Sequence, residues 1–193
     1  MNSTQDLKQD HITVRRLRDI VQICSDRLYA NENIPIEDIK IISVIIEEFV
    51  DRFHHGKEEQ AYFPQTKDKD SFSEDVRKFL IEHELGRRIA KMLLRQLDAW
   101  SKGIGYREPI ARFLKSYAVF ITDHTYKEDN FFDLIENKKS ISNEEDKSLM
   151  RHYESCRNQA GGKARMDQMI KLIEYLEEEL AKLGAIRAQN YIY

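Results

Sequence analysis

Four long segments of this chain place apolar residues at the spacing of an α-helix, and this pattern restricts the fold more than any other feature. The cleanest stripe runs from Ile110 to Ile135. Similar amphipathic helices joined by short loops pack as bundles, so the sequence predicts an all-α, up-down-up-down four-helix bundle. The predicted helices cover about residues 4–28, 36–63 with a stop at Pro64, a third segment ending near Trp100, and a fourth ending near Glu136.

Composition agrees with this class of fold. Only 7 glycines and 3 prolines occur in 193 residues, which disfavours a turn-rich all-β chain. The net charge of −3, without a basic tract, indicates no nucleic-acid partner. The absence of a long apolar run or a signal-peptide core predicts a cytoplasmic protein with no membrane partner. Cys24 and Cys156 lie outside any CxxC spacing and are expected to be buried or idle thiols.

The character of the chain changes after the fourth helix. We predict a bundle domain over residues 1–138 and a helical extension over residues 139–193 that packs on the bundle. The segment QAGGK should divide the extension into a short helix and a longer one. The extension carries no ligand motif, and a homodimer formed through it is one possible role.

Several residues predict where helices begin and end. Ser71 with Glu74 has the spacing of a capping box for the third helix, and Ser142 with Glu145 repeats that spacing before the short helix. Gly184 is expected to end the last helix, because glycine is common just beyond a helix C-terminus.

The segment FHHGKEEQAYFP places two histidines and two glutamates within two helical turns. Side chains four residues apart share a helix face, so His54 with Glu58 and His55 with Glu59 are both candidate metal-ligand pairs. The first pair continues an apolar row that begins at Ile46, whereas the second continues a polar row. We therefore expect His54 and Glu58 to face the core and the other pair to face water.

The other three helices contribute similar residues. His11 lies at the edge of the first stripe, His83 lies on the core face of the third helix near Gly86, and His124 with Glu128 repeats the four-residue pair. A single core histidine is usually a satisfied structural residue, but four inward histidines and two inward glutamates cannot easily satisfy one another. A shared site for iron, manganese or zinc does satisfy them, which predicts a two-metal centre.

Motifs for other chemistries are missing from the sequence. It contains no HExxH, GxSxG, P-loop or GxGxxG segment. His152 has no carboxylate companion on an apolar stripe and is expected at the surface.

The segments QDHITVRRL, FHHGKEEQAYFP, IEHELGRR and DHTYKEDNFF together resemble the hemerythrin-like, or HHE cation-binding, family over about residues 7–136. The resemblance implies a four-helix bundle around a non-haem di-iron centre with an oxo or hydroxo bridge. It also implies two bridging carboxylates, Glu58 and Glu128, and a ligand set of His11, His54, Glu58, His83, His124 and Glu128.

The chain departs from the oxygen carriers of this family in the third helix. Those proteins have two histidines one turn apart there, whereas Phe79 and Arg87 stand four residues from His83. The six-ligand set resembles the branch linked to iron–sulfur cluster repair, and whether His55 is a seventh ligand stays open.

Three functions follow from these patterns. The first is a di-iron protein that binds or reacts with O2 or NO, or handles iron, in sensing or stress response. The second is a di-iron redox enzyme that reduces NO or peroxide. The third is a regulatory interaction bundle that the metal only stabilises.

Overall fold

The computed structural model describes residues 1–190, and describes side chains as far as residue 184. Six helices and no strand occur within this part of the chain, which confirms the all-α bundle. Residues 191–193 of the predicted extension lie outside the described residues. The helices are α1 (Asn2–Tyr29), α2 (residues 36–66), α3 (Ser73–Ser101), α4 (Arg107–Lys138), α5 (Asn143–Gln159) and α6 (Gly162–Asn190).

Helix α2 is not a uniform α-helix. It begins as an α-helix over Ile36–Ile45, widens to a π-helix over Ile46–His55 and again over Glu58–Tyr62, and closes as an α-helix over Phe63–Thr66. π-Helical turns make i→i+5 hydrogen bonds and occur frequently at functional sites. The wider turn changes which side chains of α2 face the bundle interior.

Three predicted helix boundaries are wrong. Helix α2 continues past Pro64 to Thr66. Ser71 does not cap α3, because its φ of 68° belongs to a left-handed turn and Phe72 occupies the N-cap position. Helix α6 continues past Gly184 as far as Asn190.

The predicted capping box of α5 is confirmed. The Ser142 hydroxyl accepts a hydrogen bond from the backbone N–H of Glu145 at 3.3 Å, and the Glu145 carboxylate accepts one from the backbone N–H of Ser142 at 2.7 Å. The box satisfies two backbone donors that no helical carbonyl can reach.

Two apolar clusters fill the bundle. One contains Val14 of α1, Val50 of α2 and Ile121 of α4. The other contains Leu7 of α1 and Phe131 of α4. On α1 and α4 the buried residues between these clusters are polar, so the sequence-predicted metal residues form a layer between two hydrophobic halves.

Helices α5 and α6 pack on the bundle. Met169 and Ile173 of α6 belong to the first cluster, and Tyr153 of α5 belongs to the second. The Asp146 carboxylate of α5 accepts hydrogen bonds from the backbone N–H groups of Asn2 and Ser3 at the start of α1. The division at residue 138 coincides with the end of α4 and stays a prediction. Among the described residues, no helix combines the length and apolar character needed to cross a bilayer.

Candidate metal centre

Five imidazoles and two carboxylates meet in the polar layer of the bundle. All seven residues are at most 3 % exposed. They form two groups whose possible ligand atoms lie within 4.8 Å of one another: His55, His83 and His124 in one, and His11, His54, Glu58 and Glu128 in the other.

The two glutamates join these groups. Glu58 has one oxygen 3.6 Å from Nε2 of His54 and the other 3.4 Å from Nε2 of His83. Glu128 has Oε2 3.3 Å from Nε2 of His11 and Oε1 3.3 Å from Nε2 of His83. Each carboxylate therefore spans both groups, as a carboxylate that bridges two cations would.

The donor atoms fit a pair of metal ions. Both Glu58 oxygens, Oε2 of Glu128 and Nε2 of His11, His54, His55 and His124 are buried without a hydrogen-bond partner among the described residues. Two ligand atoms about 2.1 Å from one ion and at a right angle to each other are about 3 Å apart, close to the separations found here. Burial of this many unpartnered polar atoms is costly unless a cation satisfies them.

Electrostatics point in the same direction. Burial, reinforced by the nearby Glu58 carboxylate, raises the pKa of Glu128 well above its ordinary value. Burial also raises the pKa of Glu58 well above its ordinary value. Burial lowers the pKa of His54, His55 and His83 well below the ordinary value, so these imidazoles are neutral and keep a free lone pair. A bound cation removes the repulsion between the two carboxylates.

A carboxylate that contacts Nδ1 orients each of the five imidazoles. Because an ionised carboxylate only accepts hydrogen bonds, each Nδ1 is the donor and Nε2 faces the centre unprotonated. The bond from His124 lowers the pKa of Glu82 to about 2. The pairs are His11 with Asp129 at 2.8 Å, His54 with Asp10 at 3.3 Å, His55 with Asp51 at 3.4 Å, His83 with Glu59 at 2.7 Å and His124 with Glu82 at 2.8 Å.

Four of these bonds run from one helix to the next around the bundle. They link α1 to α4, α4 to α3, α3 to α2 and α2 back to α1. We call this closed set of four imidazole–carboxylate bonds the carboxylate ring. Each of its carboxylates is the chain neighbour of a candidate ligand, for example Asp10 beside His11 and Asp129 beside Glu128.

Basic side chains hold the carboxylates from outside. Arg87 donates to Asp51 and to Glu59, each at 2.7 Å, and so fixes the supports of two imidazoles. Lys127 contacts Glu82, Arg15 contacts Asp129, and the fully buried Lys57 contacts Asp10. The position one turn after His83 therefore carries a cation that positions ligands rather than a ligand.

A family model for the hemerythrin HHE cation-binding domain matches residues 2–135, which include every residue of the two groups. The chain belongs to the hemerythrin HHE cation-binding domain family. Comparisons with curated proteins and with solved structures gave no match.

Within this hemerythrin domain, the expectation that His55 faces water is wrong. The residue is 3 % exposed, and its ring stacks on that of His83 with centroids 3.8 Å apart. The prediction assumed about 100° between successive side chains, as in an α-helix. In the π-helix over Ile46–His55 that angle is smaller, so His54 and His55 both reach the interior. Glu59 of the same polar row is half-buried and supports His83.

The space beside the histidines is filled by an aromatic ring. Gly86, close to His83 on α3, makes room for this ring, because a Cβ atom there would lie 2.6 Å from Phe120. The Phe120 ring stacks on His124 with centroids 5.1 Å apart. His152 is exposed, as predicted, and hydrogen-bonds to the Ser148 carbonyl of its own helix. Cys24 and Cys156 are buried free thiols.

Proposed function

We propose that this hemerythrin domain holds two iron ions and binds or reacts with O2 or NO, in sensing or stress response. The proposed ligands are the six residues that the resemblance implies, with His55 as a seventh: His11, His54, His55, Glu58, His83, His124 and Glu128. The observation that carries the proposal is the pair of carboxylates that each span the two imidazole groups.

The donor chemistry supports iron. Imidazole and carboxylate ligands together suit iron, manganese and zinc, and bundles that contribute bridging glutamates typically hold redox-active metal pairs. Bound iron would supply a redox couple and a position at which a small neutral molecule can coordinate. The chain would supply neutral imidazoles, two bridging carboxylates and mainly apolar surroundings.

The two halves of the centre differ in the number of donors. His55, His83 and His124 give one ion three imidazoles, whereas His11 and His54 give the other two. The half with two imidazoles has one protein donor fewer, so an ion held there would keep more room for a diatomic ligand.

Anaerobic loading with ferrous iron tests the proposal. Elemental analysis should give about two iron ions per chain, and the optical spectrum should change when O2 or NO is admitted. Glu58→Gln should lose most of the iron, because one substitution removes a donor from both ions. Glu144→Gln, at an exposed position of α5, is the matched control and should load as the wild type does.

Folding and loading are separated by measuring the metal-free proteins. Glu58 is buried with both oxygens unpaired, so its replacement by a neutral amide should not destabilise the metal-free fold. Helical circular dichroism should therefore be unchanged while iron is lost. Wild-type protein that takes up no ferrous iron, or a Glu58→Gln variant that binds as much iron as the wild type, would refute the proposal.

A further inference from the structure

A cavity of about 330 Å³ lies between α2 and α3, next to the half of the centre that has three imidazoles. Its buried wall includes Ile46, Val50 and Leu93, and His55 and Tyr117 also face it. The more exposed Lys91 and Leu94 also line it and mark its mouth. The space is thus largely apolar, connects to the surface and ends beside a candidate metal ligand.

Among the described residues that line the cavity, the Tyr117 hydroxyl and Nε2 of His55 have no hydrogen-bond partner, and we assign Nε2 of His55 to the metal centre. Tyr117 is 3 % exposed, and its hydroxyl makes no hydrogen bond to any described residue. Other polar groups of the wall are engaged: the Ser43 hydroxyl donates to the carbonyl of Ile39, and Asp51 pairs with Arg87. Because Tyr117 lines the cavity and its hydroxyl has no partner among the described residues, that hydroxyl is available to a molecule in the cavity.

The size of the space limits that molecule. Small-molecule pockets have volumes of about 300–1,000 Å³. A dry apolar cavity of about 150 Å³ is large enough for benzene. The present volume of about 330 Å³ is roughly twice that, which is far more than a diatomic gas needs. Apolar walls with one polar contact favour a neutral ligand.

We propose that this cavity binds a neutral, mainly apolar organic molecule that carries one hydroxyl or carbonyl oxygen, which hydrogen-bonds to Tyr117. The molecule then lies against His55, on the outer side of the centre. Every contact comes from the chain itself, so binding does not require metal. The proposal therefore goes beyond the di-iron function and can fail without affecting it.

Fluorine NMR titration of the metal-free protein tests the proposal with two probes of nearly equal size. 4-Fluorophenol and 4-fluorotoluene differ by a hydroxyl in place of a methyl group. The wild type should bind both, and should bind the phenol more tightly by about twofold to tenfold, the range expected for one neutral hydrogen bond. Tyr117→Phe should bind both probes with equal affinity.

Two further variants complete the design. Tyr126→Phe removes a hydroxyl from an exposed tyrosine of α4 and should keep the wild-type preference. Ala90→Trp places an indole in the cavity and should abolish binding of both probes while helical circular dichroism is retained. The proposal is overturned if the wild type binds neither probe, if the preference persists in Tyr117→Phe, or if a folded Ala90→Trp still binds them.

Discussion

Replacing Lys57 by methionine should strongly destabilise the metal-free protein. The Lys57 side chain is 0 % exposed, and its ammonium contacts the carboxylates of Asp6 and Asp10. It also lies 4.4 Å from the centroid of the Phe53 ring. Methionine matches the shape of the side chain but leaves the two carboxylates without their cation.

The expected loss is about 3–5 kcal/mol, the usual cost of removing one partner of a buried ion pair. Domains have a total stability of only about 5–15 kcal/mol, so such a loss is readily measured. At a urea m value of about 2 kcal/mol/M, a loss of about 4 kcal/mol lowers the unfolding midpoint by about 2 M.

The pH dependence gives the prediction a second signature. Burial raises the pKa of Asp10 from 3.8 to about 6, and Lys57 opposes that rise. Because the folded pKa is the higher one, protonation of Asp10 stabilises the fold below about pH 4, and this contribution is lost as the pH rises through about 6. Without Lys57 the pKa of Asp10 rises further, so the stabilising contribution of its protonation persists to higher pH before it is lost. The variant should therefore recover stability relative to wild type between about pH 8 and pH 5.

Urea unfolding followed by circular dichroism at these two pH values provides the measurement. Lys102→Met is the matched control, because Lys102 is exposed and, among the described residues, pairs with the exposed Asp98 alone. Its loss should cost less than about 1 kcal/mol. Adding Asp10→Asn to Lys57→Met should restore part of the stability, since it removes one unpaired buried charge. A Lys57→Met variant within about 1 kcal/mol of wild type at pH 8, or one that Asp10→Asn does not improve, would refute the reasoning.

Three further substitutions test other features. His55→Ala should lower iron content from about two ions towards about one per chain by elemental analysis, while His152→Ala leaves it unchanged; equal iron in both variants would remove His55 from the ligand set. Gly86→Ala should cost about 1–3 kcal/mol in urea unfolding, because the added methyl group overlaps the Phe120 ring; unchanged stability would contradict this packing. Ser142→Ala should cost about 1 kcal/mol through loss of the capping box, and a thermal midpoint equal to wild type would count against that box.

Much of the fold and part of the site could be predicted from helical periodicity. The apolar stripes identified the four bundle helices, and the row ending in His54 and Glu58 correctly predicted that both are buried. The same reasoning applies to His124 and Glu128 of α4, which is a regular α-helix. In regular helices the spacing of residues in sequence is enough to determine the face they occupy.

The remaining features depend on departures from regularity or on contacts between helices. The prediction that His55 faces water was wrong because no residue pattern in α2 indicates a π-helix. The supporting carboxylates were missed for a different reason: Glu82 is the chain neighbour of His83 but supports His124 on another helix. Such partners become visible only when the rotation and height of neighbouring helices are known.

Because the carboxylate ring is closed, the loss of one of its bonds and the loss of two should affect the stability of the bundle differently. Breaking the Asp10–His54 bond opens the loop but leaves all four helices joined in a row. Breaking the Glu82–His124 bond as well divides the row into two separate pairs, α1 with α4 and α2 with α3. In a double-mutant cycle, Asp10→Ala and Glu82→Ala together should therefore cost more stability than the two single variants combined. We therefore expect the bundle to tolerate the loss of one bond of the carboxylate ring better than the loss of two bonds on opposite sides of it.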